Sequence, residues 1–414
     1  MISFDEALRR TLESVRPLEK ERLKLVEATG GIVAEDLHSL VESPTADVSL
    51  KDGYAVRSPD VAKATVRNPE TLQVVGEISA GGVWGGELRS GEAVRILSGA
   101  RIPASADAVV AVEFTSRDGD SLTVTRDAGP GRNILVKGSD LRRGDHLVKG
   151  GTPLEPGAVG LLAAGGHGDV LVFKRPRVGI LATGDEILSP GDPISNGKVY
   201  ASNLVTLASW CARNGWPVET RAVPDDYTLI QEGLETFLTG CDVVLTSGGA
   251  WKGQRDLVVD ILDNIGWSKI FHRVRIGPGK AAGFGLYSGK PVFCLPGGPP
   301  SNLMAFLQLA MPGIKKLGGW AAPSHPLIAA TLQKELQGQI DWTQFVYGQV
   351  ANSGDTLTFL PLKLKSRLSE MAVFNAVAMI PEGISKITNG SRIQVQLLSA
   401  PIQASDTNNP PAAR

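Results

Sequence analysis

Only three cysteines occur in the 414 residues, Cys211, Cys241 and Cys294, each among apolar neighbours and none in a C-x-x-C pair. This scarcity argues against a disulfide framework, and the three read as buried, reduced thiols of a cytoplasmic protein. Histidine is as sparse. His38, His146, His167, His272 and His325 stand far apart and show no ligand spacing, which argues against a zinc site. An excess of one charge is missing too, with 42 Lys and Arg against 43 Asp and Glu. Such a balance provides no electrostatic footprint for nucleic acid and no polybasic run for a membrane surface. No apolar run approaches the roughly 20 residues of a membrane span. The opening Met1-Ile-Ser-Phe-Asp-Glu-Ala-Leu-Arg-Arg10 reads as a short amphipathic helix without the apolar centre of a secretory signal. The G-x-S-x-G elbow, the P-loop and G-x-G-x-x-G are all absent, so serine-hydrolase, NTPase and nicotinamide readings have no support.

Two runs carry more information than the rest. Arg177-Val-Gly-Ile-Leu-Ala-Thr-Gly-Asp-Glu186 is a β-like apolar stretch that stops at a Gly followed by two acids, and Asp242-Val-Val-Leu-Thr-Ser-Gly-Gly249 repeats the design. In an open α/β sheet, ligands sit beyond the carboxyl ends of the strands, where Gly-rich turns let backbone N–H groups reach phosphates. The two acids beside the first turn suggest a metal or a proton to be managed there. Capped strand-to-helix turns with no ligand are the plainer alternative.

A chain of this length divides into several domains. Residues 1 to about 40 read as helical, with one segment opened by Phe4-Asp5-Glu6-Ala7-Leu8 and a second starting at Pro17 and stopped by Gly30-Gly31. Between 45 and 140, short β-like runs (72–78, 93–97, 108–112, 122–125) indicate a small all-β module. Residues 153–168 return to a helix with a Gly stop. Residues 177–318 alternate: strand 177–182, helix 199–214, strand 218–223, helix 227–239, strand 242–246, helix 255–265, strands near 270–276 and 291–295, and a helix over 301–317. This alternation implies βαβ units and a mostly parallel sheet. Residues 327–398 are again β in character, and the polar, Pro-rich end reads as disordered. The expected division is 1–44 with 141–176 as a helical and linker unit, 45–140 as an inserted β-rich unit, 177–320 as the α/β unit, 321–400 as a C-terminal β-barrel-like unit, and 401–414 as a tail.

Six segments point the same way: Leu50-Lys-Asp-Gly-Tyr-Ala-Val56; Ser98-Gly-Ala-Arg-Ile-Pro103 with Ala106-Asp-Ala-Val-Val110; Gly131-Arg-Asn-Ile134 with Gly138-Ser-Asp140; Thr183-Gly-Asp-Glu-Ile-Leu188; Ser247-Gly-Gly249 leading to Asp256; and Leu295-Pro-Gly-Gly-Pro-Pro-Ser-Asn302. Each is weak alone. Their order and spacing over residues 1 to 398 resemble the molybdopterin molybdenumtransferase family, the MoeA and gephyrin E-domain proteins. The resemblance implies an elongated homodimer whose α/β unit holds adenylylated molybdopterin, with the inserted β unit of the other subunit closing the site. The family reaction inserts molybdate into the dithiolene and releases AMP with a divalent cation, Mg²⁺. A metal held by carboxylates suits the cleavage of an adenylyl phosphate. Other cofactor-biosynthesis enzymes or apo-molybdoenzymes are the partners such a protein would meet.

Carried over by position, Asp185, Glu186 and Asp256 match the metal-side acids, and Asp225 matches a further acid near the nucleotide. Thr183, Gly184, Ser247, Gly248, Gly249, Pro296, Gly297 and Ser301 match the binding turns. Asp52 and Asp140 match acids from the β-rich side, and Ser98 stands where many members have Thr. Asp52, Glu186, Asp256 and Lys280 are the candidates for chemistry. Simpler roles exist for several: Asp225-Asp226 precedes a helix and suits its cap, Asp256 suits a helix dipole, and Asp52 before Gly53 suits a turn.

The departures gather on one side. The family's Lys-Pro-Gly-Lys-Pro reads Gly277-Pro-Gly-Lys-Ala281, its Pro-Gly-Asn-Pro reads Pro296-Gly-Gly-Pro299, and Gln344 replaces an Arg. Its Gln-Gly-Ser-Gly reads Leu364-Lys-Ser-Arg367, and Ala250-Trp-Lys252 follows the second turn. In the family the lost Lys and Arg lie where the oxyanion is thought to bind. Lys252, Arg255, Lys365, Arg367 and Arg273 either rebuild an anion site or are solvated surface charges. Three functions therefore stay open: insertion of molybdate or tungstate, a non-catalytic molybdopterin-binding scaffold, and a hydrolase of a related nucleotide.

Overall fold

A computed structural model of the chain describes residues 1–248, 257–354, 356–363 and 368–403. The expected mixed α/β architecture with several sheets is present. At its centre is a six-stranded sheet in the order 218–223, 178–183, 243–247, 290–295, 283–287, 268–272. The first four strands are mutually parallel, and the last two joins are antiparallel. Val178–Thr183 and Val243–Ser247 are buried along their whole length, as their unbroken apolar runs require of strands covered on both faces.

The crossover helices carry their apolar residues at helical spacing. Ser202–Arg213 buries Leu204, Leu207 and Cys211, and Tyr227–Gly240 buries Ile230, Leu234, Phe237 and Leu238. The second is capped by Asp226, whose side chain accepts from the Leu229 N–H at 2.9 Å. At Gly179 a Cβ would lie 2.7 Å from the Phe237 ring, so glycine is what lets this helix settle onto the sheet. The first helix starts at 202 rather than 199, because Val199–Tyr200 pairs instead with Ile187–Leu188. The cysteines are buried, and burial pushes the Cys211 thiol up to about 12.

Residues 45–140 hold a second six-stranded sheet, ordered 115–118, 121–124, 70–78, 92–96, 53–56, 108–111. Beyond residue 320, strands 343–353, 356–361, 327–332, 392–397 and 376–380 close on one another, since 376–380 pairs back onto 343–353, forming a five-stranded barrel. A helical run from Pro299 to Leu317, with a π-helical turn at Phe306–Ala310, lies against it, and Gln308 Nε2 in that turn donates to Gln396 Oε1 at 2.7 Å.

Four local expectations need correction. The segment after Pro17 is not a helix: Lys20–Lys24 is a strand, antiparallel to Asp169–Phe173. Exposed and partly buried residues alternate along it, a period of two that a two-turn window of charged residues disguises. The run 270–276 is not one strand. Arg273, at φ +68°, breaks it, and Val274–Gly277 leaves the central sheet to lie between Ile2–Ser3 and the barrel strand at Thr343. The tail begins later than 401, because Ile402–Gln403 pairs with the barrel strand at Ala351–Asn352; residues 404–414 lie outside the described ones. The histidines are not all apart. His38 and His146 are register partners with ring centroids 5.3 Å apart, and His167 Nε2 lies 2.8 Å from the His38 carbonyl.

Candidate functional site

The central sheet changes direction between 178–183 and 243–247: the chain leaves the first strand toward 218–223 and returns on the other side. Ligands of open α/β sheets bind at the carboxyl ends of such a pair. A cavity of about 500 Å³ opens there, lined by Thr183, Glu186, Ser247, Gly248 and Gly297, with Tyr200 from the short strand before the first helix and Asn203 from that helix's first turn.

Three strand-end turns abut to form its floor. Gly248 has φ +100°, and a Cβ there would sit 2.3 Å from the Thr183 carbonyl oxygen. A Cβ on Gly297 would in turn lie 3.7 Å from the Gly248 Cα. Glycine at 248 is thus demanded twice, by its backbone angle and by the neighbouring strand. The glutamate of the acidic turn folds back over Gly184, whose Cβ would meet the Glu186 carboxylate at 2.9 to 3.1 Å.

The acids sort themselves by partner. Asp185 Oδ1 accepts from the Asp225 N–H at 3.0 Å, and the Asp185 carbonyl accepts from Lys198 Nζ at 2.5 Å. Asp225 is therefore tied to the acidic turn, and the helix cap falls to its neighbour Asp226. Asp185 and Glu186 are exposed, side by side at a strand end. Their oxygens suit a hard divalent cation that keeps several waters. Among the described residues no three His, Cys, Asp or Glu side chains are grouped to hold a metal ion. Asp256 and Gly249 lie outside the described residues, as do Lys252, Arg255, Lys365 and Arg367.

Other candidates lie elsewhere in the chain. Asp52 Oδ1 accepts from the Ser98 N–H at 2.7 Å, so these two form one exposed corner of the β-rich sheet. Asp140 is exposed on a turn whose backbone N–H donates to the Ser43 carbonyl. None of the three lines the cavity. Lys280 reaches over Trp342, its Nζ 5.4 Å from the ring centre, and Arg273 is exposed at the strand break. Pro296 is buried beneath the third turn, and Ser301 is half-buried with its carbonyl against the Gly279 turn.

The two altered positions Gly277 and Gln344 are register partners across adjacent parallel strands. A Cβ on Gly277 would lie 3.7 Å from Gln344 Cγ. Both changes therefore fall on one spot, which their separation in sequence concealed. Asn302, Asn203 and Lys198 were missed as site residues. Asn302 is buried, and the signal the sequence carries for it is an amide one helical turn beyond Gly298.

Fold and site together define a ligand-binding α/β protein of the open-sheet class, with a β-rich insertion and a terminal barrel. The chain matches the MoeA N-terminal region (domain I and II) over residues 2–166 and a probable molybdopterin binding domain over 179–316. It is 31% identical over 401 residues to molybdopterin molybdenumtransferase 2 of Mycobacterium tuberculosis (strain ATCC 25618 / H37Rv), covering 95% of this chain and 99% of that protein. With the molybdopterin molybdenumtransferase of Haemophilus influenzae the identity is 34% over 354 residues, covering 84% of this chain and 86% of the other. The crystal structure of a molybdopterin biosynthesis moeA protein from Pyrococcus horikoshii superposes with a TM-score of 0.80 at 29% identity, covering 96% of this chain and all of that one. The chain belongs to the molybdopterin molybdenumtransferase family. It is accordingly a transferase of molybdenum cofactor biosynthesis with a molybdopterin-related substrate. No helix among the described residues is long and apolar enough to cross a membrane.

Proposed function

We propose that this protein inserts molybdate, or tungstate, into adenylylated molybdopterin with Mg²⁺-dependent release of AMP, in the cytoplasm. The observation that carries the reading is the cavity at the sheet's reversal, floored by three abutting glycine turns and lined by Glu186, whose chain neighbour is Asp185. Backbone N–H groups of such turns would receive the phosphate, and the Asp185 and Glu186 carboxylates would hold Mg²⁺, which would supply charge neutralisation at the phosphate. Lys198 and the Asp225 N–H keep the acidic turn in place through their bonds to Asp185. Asp52, Ser98 and Asp140 serve a site shared between subunits: residues 45–140 of a second copy close the cavity of the first. The proposed division of the chain is the one expected above, with units 1–44 plus 141–176, 45–140, 177–320 and 321–400. The test is purified protein with adenylylated molybdopterin and Mg²⁺. AMP release that requires molybdate or tungstate supports insertion, and release without either oxyanion indicates a hydrolase.

One observation favours a second reading, a dimeric scaffold that binds and delivers the cofactor without chemistry. Gly277 and Gln344 together remove two positive charges from a single spot. A charged hydrogen bond to an anion contributes about 1.5–3 kcal/mol, so two uncompensated losses weaken oxyanion binding by more than about a hundredfold. Calorimetric titration with molybdate and tungstate separates the readings. Binding that disappears in Lys280→Ala supports insertion through a rebuilt anion site. No binding at millimolar oxyanion, with the pterin nucleotide present, supports the scaffold.

A further inference from the structure

We propose that Asn302 orients the Ser247 hydroxyl as a hydrogen-bond donor into the strand-end cavity, where it meets an accepting atom of the ligand. The identity of the ligand rests on the function proposed above; the donor role does not.

Asn302 is 1% exposed, and its Nδ2 donates to the Pro296 carbonyl at 2.8 Å and to Ser247 Oγ at 3.0 Å. An amide side chain can be turned either way, but a carbonyl only accepts. Pro296 therefore fixes the nitrogen on this side, and the second amide proton goes to Ser247. With its oxygen accepting, the Ser247 hydroxyl keeps its own proton for another partner. Ser247 is buried and lines the cavity.

Ser247 is the register partner of Ala182 and shares its face of the sheet, whereas Thr183, one residue further along the adjacent strand, turns its side chain to the other face. Thr183 is 4% exposed, lines the same cavity, and its Oγ1 has no hydrogen-bond partner among the described residues. Buried hydroxyls are rarely left without partners unless a ligand, ion or water completes them. The Ser247 proton matches an accepting atom such as a phosphate oxygen or a ring carbonyl. Asn302, one helical turn beyond Gly298, ties the ends of two strands.

Asn302 is a positioning residue, and a double-mutant cycle separates orientation from simple bracing. Adenylylated molybdopterin, with AMP in parallel, is titrated calorimetrically against the full chain without Mg²⁺ or oxyanion. Asn302→Ala frees the Ser247 hydroxyl to rotate, whereas Asn302→Asp supplies an acceptor that turns its proton away from the cavity. The expected losses in affinity are about tenfold for Asn302→Ala and about a hundredfold for Asn302→Asp. In a Ser247→Ala background the gap between the two variants closes to within about twofold. Ser247→Ala alone, which leaves Asn302 its bond to Pro296, weakens binding by about tenfold, so the donor role stays testable if the Asn302 variants fold poorly. A gap that persists without the Ser247 hydroxyl, or unchanged binding in Ser247→Ala, overturns the donor role alone. Wild-type protein that binds neither probe overturns the functional reading as well.

Discussion

Gly248→Ala concentrates the physics of this site in one methyl group. The residue sits at φ +100°, and the added Cβ would lie 2.3 Å from the Thr183 carbonyl oxygen. Carbon and carbonyl oxygen ordinarily approach no closer than about 3.3 Å, so the two strand ends must part by about 1 Å. The obstacle is backbone in a ladder that pairs Ala182 with Ser247, and no side chain can rotate out of the way. A non-glycine residue at positive φ costs about 1–2 kcal/mol, and forcing the backbone adds a similar amount. A total near 3 kcal/mol lowers the melting transition of the central sheet by about 6–12 °C. Displacing binding groups by about 1 Å costs on the order of a hundredfold in turnover. Gly266→Ala is the control, since Gly266 has φ +94° with nothing within 4 Å of the added methyl. It carries only the conformational cost of about 1–2 kcal/mol and leaves turnover unchanged. Scanning calorimetry and AMP release measure both variants. A Gly248→Ala protein as stable and as active as Gly266→Ala would refute the claim that the abutting turns shape the site.

Three further outcomes are expected. Glu186→Ala should fold normally, with an unchanged circular dichroism spectrum, and lose at least about tenfold in Mg²⁺-dependent AMP release, the scale of a lost charged contact; unchanged turnover removes the acidic pair from the mechanism. Mixing Asp52→Asn with Glu186→Ala subunits should recover part of the activity, because one site of each heterodimer is intact; mixtures as inactive as their parents exclude a shared site. Burial, with Lys315 adding to it, pushes the His325 imidazole down to about 4 from 6.5. The unfolded chain takes up that proton first as pH falls, so this contribution to stability is full above pH 6.5 and declines toward pH 4. Chemical denaturation across that window should show the decline in wild type and a flatter profile in His325→Gln.

The helices of the α/β region were legible because their signals are local. Leu204, Leu207 and Cys211 recur at helical spacing, and Asp226 caps the helix that Gly240 closes. The acidic turn and the Ser-Gly turn were legible for the same reason, as apolar runs that end at glycine. Lys20–Lys24 misled because a short charged strand needs a partner to declare itself, and that partner lies near residue 170. The break at Arg273 was hidden because the apolar run continues through it while the chain changes sheets.

By itself the sequence determined the alternating strands and helices of the α/β region, where its glycine turns fall, and which family the motifs resemble, since these follow from short-range periodicity, caps and turn chemistry. Tertiary structure alone decided which of those segments meet. It set Gly248 against Thr183, put Gly277 opposite Gln344, and brought Asn302 across to Ser247. Those contacts join residues tens of positions apart through strand register and helix–sheet packing, and no local pattern encodes which distant partner a buried group will find.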